Sequence, residues 1–340
     1  MDVKKTPNAP ATDAFTPGAQ ALRNDNTTMR SRVYLLWQQL GMALVLIILC
    51  IIMSAIAPNF LDFRNLINVM RQVSINAILA AGMTFVILTG GIDLSVGSGL
   101  AVAGVISVWL SVKGVNPLFA VLAGIIIGGL CGLLNGLLIA RLKLPAFIVT
   151  LGALTYLRGI AYVTTGAYPL IKTDLGFAFL GDGYLGPIPW PVVVAALVFI
   201  LGYIVLTRTT FGRHIYAIGG NEQAARLSGI NVDLNLIWVY TISGLCTGLA
   251  GIIFSARLLS GQPTGGNGYE LDAIAAVILG GTSFVGGQGS IIGTLIGALI
   301  IGVLNNGLVL LDVPFFYQLI IKGAVIVIAV LIDRIRAQAA

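Results

Sequence analysis

TRTTFGRHIYAIGGNEQAARLSGINVDL, from Thr207 to Leu234, is the long polar stretch in the middle of a very apolar chain. It carries Arg208, Arg213 and Arg226, the only histidine (His214) and a short run of helix formers from Glu222 to Leu227. Long apolar segments lie on both sides of it. A chain built this way keeps most of itself in a membrane and one segment in water, where that segment is free to touch a soluble partner.

Composition agrees. Charged residues make up 9% of the 340, against about 25% in an ordinary soluble domain. Hydrophobic residues reach 57% and mean hydropathy is +0.98. The 43 glycines suit membrane helices, where small residues let backbones approach closely. Several apolar runs are long enough to cross a bilayer, which argues for one integral membrane domain in contact with lipid. The net charge of +6 is therefore no nucleic-acid signal, and no nucleic-acid partner is expected. Cys50, Cys131 and Cys246 fall inside apolar runs and read as small packing residues without a disulfide or metal role.

Residues 1–33 are polar and rich in Pro, Thr, Ala and Asn, and read as a disordered cytoplasmic tail ahead of a membrane domain over 34–335. The first apolar run comes too late for a cleavable signal peptide. That run gives a span at Gln39–Ala57, with Trp37 as an interfacial anchor and Pro58–Asn59 as its end. Phe60 to Gln72 reads as an amphipathic linker along the interface, with Leu61, Leu66, Ile67 and Val69 against Arg64 and Arg71. Further spans are expected at Ile75–Leu88, Val96–Val112, Leu118–Ala140, Ala146–Thr165, Ile188–Leu206, Leu236–Ser255, Leu271–Leu279, Ile291–Leu310 and Phe315–Ile332. The expected fold is an all-α polytopic membrane protein of about ten segments with both termini cytoplasmic. The run at Leu271 is short enough for a half-membrane helix, and eight spans with two re-entrant pieces fit as well.

The positive-inside rule sets the orientation. A cytoplasmic tail puts Lys4, Lys5, Arg23, Arg30, Arg32, Arg141, Lys143, Arg208, Arg213, Arg226, Arg334 and Arg336 inside. Arg64, Arg71, Lys113, Lys172 and Arg257 fall outside, and Arg158 and Lys322 within spans, to pair with carboxylates or snorkel. The reverse orientation inverts the bias.

On this map Thr207–Leu234 is cytoplasmic. Asn221 is placed to cap a short helix with Glu222 in its first turn, and Gly229 to end it. The plain alternative is a solvated connector. No G-x-x-x-x-G-K-[ST] occurs, so the chain is not itself a P-loop ATPase. No cofactor, metal or catalytic residue is expected. The sole imidazole lies in the cytoplasmic stretch, which leaves none for a serine–histidine or zinc site in the membrane.

GRHIYAIGGNEQAARLSGI resembles the cytoplasmic coupling loop of the membrane permeases of bacterial ABC sugar importers, with E-Q-A-A-x-x-x-G in place of their Glu-Ala-Ala motif. VILTGGIDLSVGS (Val86–Ser98), PAFIVTLG (Pro145–Gly152), Gln262–Leu308 and Phe316–Asp333 resemble the ribose permeases of that family, in unbroken order over residues 34 to 335. The resemblance implies the pore subunit of an ATP-driven importer for a monosaccharide, ribose first. A separate ATPase would grip 207–234 through Arg213, Asn221, Glu222, Ala225, Arg226 and Gly229. A second copy of the permease and a periplasmic sugar-binding protein are the other implied partners. Permeases for other pentoses or hexoses, nucleosides or branched-chain amino acids remain open, as does an ion-coupled secondary transporter.

Two glycine stretches, Gly90–Gly97 and Gly280–Gly289, each follow a Val-Ile-Leu triplet (Val86–Leu88, Val277–Leu279). Irregular backbone at membrane depth must be buried in protein or line a wet cavity. Asp93 and Ser95 are candidates either for the cap of the next span or for the substrate pathway. Thr282, Ser283, Asn305 and Asn306 are further pathway candidates, and cross-helix hydrogen bonding is the plain alternative for the asparagines. Outside, Gly166–Pro187 and Arg257–Asp272 read as the longest exposed loops. Asp174, Asp182, Arg257 and Glu270, with Asp272, are the candidates there for contact with a binding protein.

Overall fold

The computed structural model describes residues 41–339; the polar tail, Trp37 and the first residues of the span expected at Gln39 lie outside them. The described chain is mostly helical, with four two-residue strands. Its helices are α1 (Gly41–Ile56), α2 (Phe63–Leu88), α3 (Val96–Val112), α4 (Pro117–Leu142), α5 (Ala146–Thr165), α6 (Phe179–Asp182), α7 (Trp190–Arg208), α8 (Thr210–Gly220), α9 (Glu222–Leu227), α10 (Val232–Leu258), α11 (Tyr269–Leu279), α12 (Ile291–Leu310) and α13 (Phe315–Ala339). Among the described residues, six are long and apolar enough to cross a membrane: α2, α4, α5, α7, α10 and α12. α1, α3 and α13 contribute shorter apolar helices, and α11 has 11 residues.

α2 is the axis of the bundle. Its apolar window is 89% buried, against 28% for α4, α5 and α7. It packs against α10, α12, α11 and α7, and its residues Ile75 to Leu88 form the heart of the largest core cluster. The expected interfacial linker at Phe60–Gln72 is therefore corrected: from Phe63 onward it is the opening part of the 26-residue α2. Asp62 caps the helix by accepting from Arg64 N at 2.7 Å. Arg71 does not break it, because its guanidinium is held by the Asp182 carboxylate at 3.2 Å and lies over the Tyr184 ring.

Glycine lines the most extensive helix contact, between α4 and α10. Gly128 of α4 faces Gly244 and Gly248 of α10, and a methyl group built on it would stand 2.5 Å from the Gly244 carbonyl. Gly124, Gly132 and Gly136 continue that seam one turn at a time. Lipid offers no hydrophobic drive for helices to associate, so close backbone packing supplies the attraction.

The 27 residues of α10 separate two ends by about 40 Å. At one end Lys143, Arg226 and Asp233 meet. At the other, β1 (Leu170–Ile171) pairs antiparallel with β4 (Ser260–Gly261), and β2 (Tyr184–Leu185) pairs with β3 (Ile188–Pro189). The first pair joins the two loops expected to share a face. The second of those loops is not simply exposed, however. Ser260, Gly261, Pro263, Gly265 and Gly266 are buried, and Arg158, midway along α5, donates to the carbonyls of Pro263 and Gly265 at 2.6 and 2.8 Å. The segment folds back among the helices because a half-buried guanidinium meets its backbone acceptors.

Candidate functional site

The polar stretch is helical almost throughout. Thr209 caps α8 by accepting from Gly212 N at 3.2 Å. Asn221 ends α8 and caps α9, accepting from Ala224 N at 2.9 Å. Gly229, at φ +83°, turns the chain toward α10, a conformation that costs an L-residue roughly 1–2 kcal/mol. The short helix expected from Glu222 to Gly229 is thus formed.

Its side chains divide into two sets. Ala225 turns inward and packs with Ile218 and Val232. Arg213, Asn221, Glu222 and Arg226 are exposed, and Leu227 stands out at 91% exposure. Arg226 bridges Glu222 and Asp233, each at 3.0 Å, and its pKa is pushed up by those two hydrogen bonds, that to Glu222 first. Lys143 reaches the same Asp233 carboxylate at 2.5 Å. Beside this knob a cleft of about 440 Å³ is lined by Phe211, His214, Gly229, Asn231 and Trp238. The surface is a clamped helix next to a concave pocket, suited to docking another protein.

The two glycine stretches meet beside α8. Gly287 N donates to the Leu88 carbonyl at 2.9 Å, and Tyr216 of α8 donates its hydroxyl to the Gly289 carbonyl at 3.0 Å. Sequence reasoning missed this junction, although both stretches and α8 had been singled out. Ser283 to Gln288 forms a turn closed by Ser283 N to Gln288 O at 2.9 Å, with Val285 77% exposed. The second stretch therefore reaches the α8 end of the bundle.

Asp93 is 2% exposed. It accepts from Ser95 N at 3.0 Å and Ser95 Oγ at 2.6 Å at the start of α3, and from Ser243 Oγ of α10 at 3.1 Å. Asn135 of α4 donates to Ser95 Oγ at 3.0 Å. The network ties the break between α2 and α3 to two neighbouring helices. Thr282 is fully buried, against Gly289. Asn306 exchanges two hydrogen bonds with Asn65 of α2, at 2.9 and 3.0 Å. Asn305 donates to Asp272 Oδ2 at 3.4 Å, which also receives Lys322 of α13 at 3.0 Å. Both asparagines bond to neighbouring helices, and Lys322 finds its carboxylate.

At the opposite end, Asp174 is exposed beside Lys172 at 3.0 Å, and that hydrogen bond holds its carboxyl below the usual range. Asp182 is exposed on its outer side while paired to Arg71. Arg257 is half-buried, packed against Gly181. Glu270 points inward toward Gly97, with its Oε2 buried and without a hydrogen-bond partner among the described residues.

The family described as "Branched-chain amino acid transport system / permease component" matches residues 65–330. The ribose import permease protein RbsC of Bacillus subtilis is 51% identical over 299 residues, 87% of this chain and 93% of that protein. RbsC of Escherichia coli strain K12 is 50% identical over 296 residues, 86% and 92% of the two chains. The D-allose transport system permease protein AlsC of the same strain is 40% identical over 304 residues, 88% and 93%. No solved structure matches. The chain belongs to this family of transport permeases.

Proposed function

We propose that this member of the permease family is the membrane subunit of an ATP-driven sugar importer of the bacterial inner membrane, with ribose as its cargo. Identity of 51% to a ribose import permease over 87% of the chain carries the reading. The 40% identity to an allose permease makes a related monosaccharide the alternative. The chain is not an enzyme: a separate ATPase hydrolyses the nucleotide.

The ATPase docks on α9 and the cleft beside it, touching Arg213, Asn221, Glu222, Arg226 and Gly229, while buried Ala225 seats the helix. That end is cytoplasmic. Counting α1, α3, α13 and the half-length α11 with the six long helices gives ten segments and puts both termini inside, in line with the charge bias. The binding protein meets the outer face, where Asp174 and Asp182 supply exposed carboxylates; Arg257 and Glu270 stand behind them. A second copy completes the pathway, to which Asp93, Ser95, Thr282, Ser283, Asn305 and Asn306 contribute at the broken helices.

The test is copurification with the ATPase and binding protein encoded beside the gene, followed by ATP hydrolysis with ribose, allose, xylose and amino acids. Stimulation by ribose is expected; stimulation by amino acids alone overturns the sugar assignment. Glu222→Arg and Gly229→Trp should insert normally yet lose the ATPase. Wild-type copurification and uptake in both variants would show that α9 is not the handle.

A further inference from the structure

α9 has no inward side chain long enough to reach the broken helices: its buried face is Ala225, seated on α8 and α10. Any displacement of α9 must therefore pass through one of those neighbours. α8 is the one that touches both the end of α2 at Leu88 and the second glycine stretch.

That contact is bare backbone. A methyl group built on Gly219 would overlap the Leu88 carbonyl oxygen and the Gly287 nitrogen. One on Gly287 would stand 2.7 Å from Gly220 N, and one on Gly286 2.8 Å from Gly90 N. The Gly287 N–H to Leu88 carbonyl bond and the Tyr216 hydroxyl to Gly289 carbonyl bond fasten the same three segments. Rotamers cannot absorb a shift where no side chain intervenes, so close-packed backbone passes movement on. Leu88 is the last residue of α2, the most buried long helix. α2 is fixed to α12 by the Thr84–Thr294 hydroxyl pair at 2.8 Å and by Asn65–Asn306. At its far end it holds Asp182 through Arg71. One push at Leu88 thus moves a rigid pair of helices that reaches the opposite face.

We propose that Gly219 and Tyr216 are the positioning residues that transmit the ATPase stroke to α2 and to the α11–α12 turn, and that they are separate from the handle on α9. The proposal rests on the reading of α9 as the ATPase dock.

The test uses the full complex of permease, ATPase and binding protein in membrane vesicles, with ribose. Tyr216→Phe removes the hydroxyl alone, and Gly219→Ala places a methyl group in occupied space. Both should keep the ATPase at the wild-type ratio, with basal hydrolysis and the KM for ribose unchanged. The maximal uptake rate and the ribose-stimulated hydrolysis should fall about tenfold, the size of one lost hydrogen bond or a forced backbone shift. Gly220→Ala is the control, because its methyl group meets nothing within 4 Å, and it should behave as wild type. Wild-type coupling in Tyr216→Phe overturns the proposal even if Gly219→Ala fails to insert. Equal loss in Gly220→Ala and Gly219→Ala overturns it too. Failure of the underlying reading has a different signature: Glu222→Arg and Gly229→Trp would then keep the ATPase at the wild-type ratio.

Discussion

Lys322 of α13 places its ammonium 3.0 Å from the Asp272 carboxylate of α11, with the two side chains 24% and 9% exposed. It is the ion pair that holds the short helix α11 to the last helix of the bundle. Such a pair is weak support for stability when intact, yet breaking it from one side leaves a buried charge.

Lys322→Met should therefore destabilise the protein by about 3–5 kcal/mol, read as a lower unfolding temperature in detergent. Lys322→Met with Asp272→Leu should recover most of that loss, since both charges are gone. A single variant as stable as wild type would mean the pair carries no structural role.

The Asn65–Asn306 pair makes a milder case. Asn306→Leu leaves Asn65 Oδ1 without its donor between α2 and α12, and should cost up to about 1.7 kcal/mol, the upper range for hydrogen bonds between membrane helices. The double change to leucine at both positions should cost less than the single one. Thermal unfolding of the four proteins in a double-mutant cycle measures the coupling.

Arg158 is predicted to hold the folded-back segment in place. Arg158→Met removes both donors to the Pro263 and Gly265 carbonyls. A cysteine at position 263 should then react with a membrane-impermeant maleimide added outside, and should resist it while Arg158 is present. Equal labelling in both backgrounds would show that the segment is open already.

Asn221→Ala should fray α9 by about 1 kcal/mol through loss of its cap, with reduced ATPase retention in copurification. Asn221→Asp, which keeps a side-chain acceptor for the Ala224 N–H, should retain the ATPase. If alanine and aspartate variants behave alike, the cap is irrelevant to docking.

Much of the fold was readable along the chain. α5 and α12 fall at the expected residues, and α3 likewise, because Pro145, Gly166, Ser290 and similar residues mark their ends. α2 was misread, since Arg64 and Arg71 look like an interfacial face when Asp182, more than a hundred residues away, is unseen. The Asn221 cap and the Gly229 turn were legible because capping is local. The contact of Leu88, Gly219 and Gly287 was not, because glycines carry no side chain whose chemistry names a partner.

The sequence by itself determined the membrane class, most of the helix positions, the exposed short helix at Glu222–Leu227 and the family, all of which depend on local hydropathy, capping and linear order. Only the tertiary structure decided that α2 is the buried axis, that Gln262–Gly268 folds inward onto Arg158, and that both glycine stretches meet beside α8. These are long-range pairings between backbone carbonyls, amides and single charges. Their energy depends on where distant segments pack, so no local pattern encodes them.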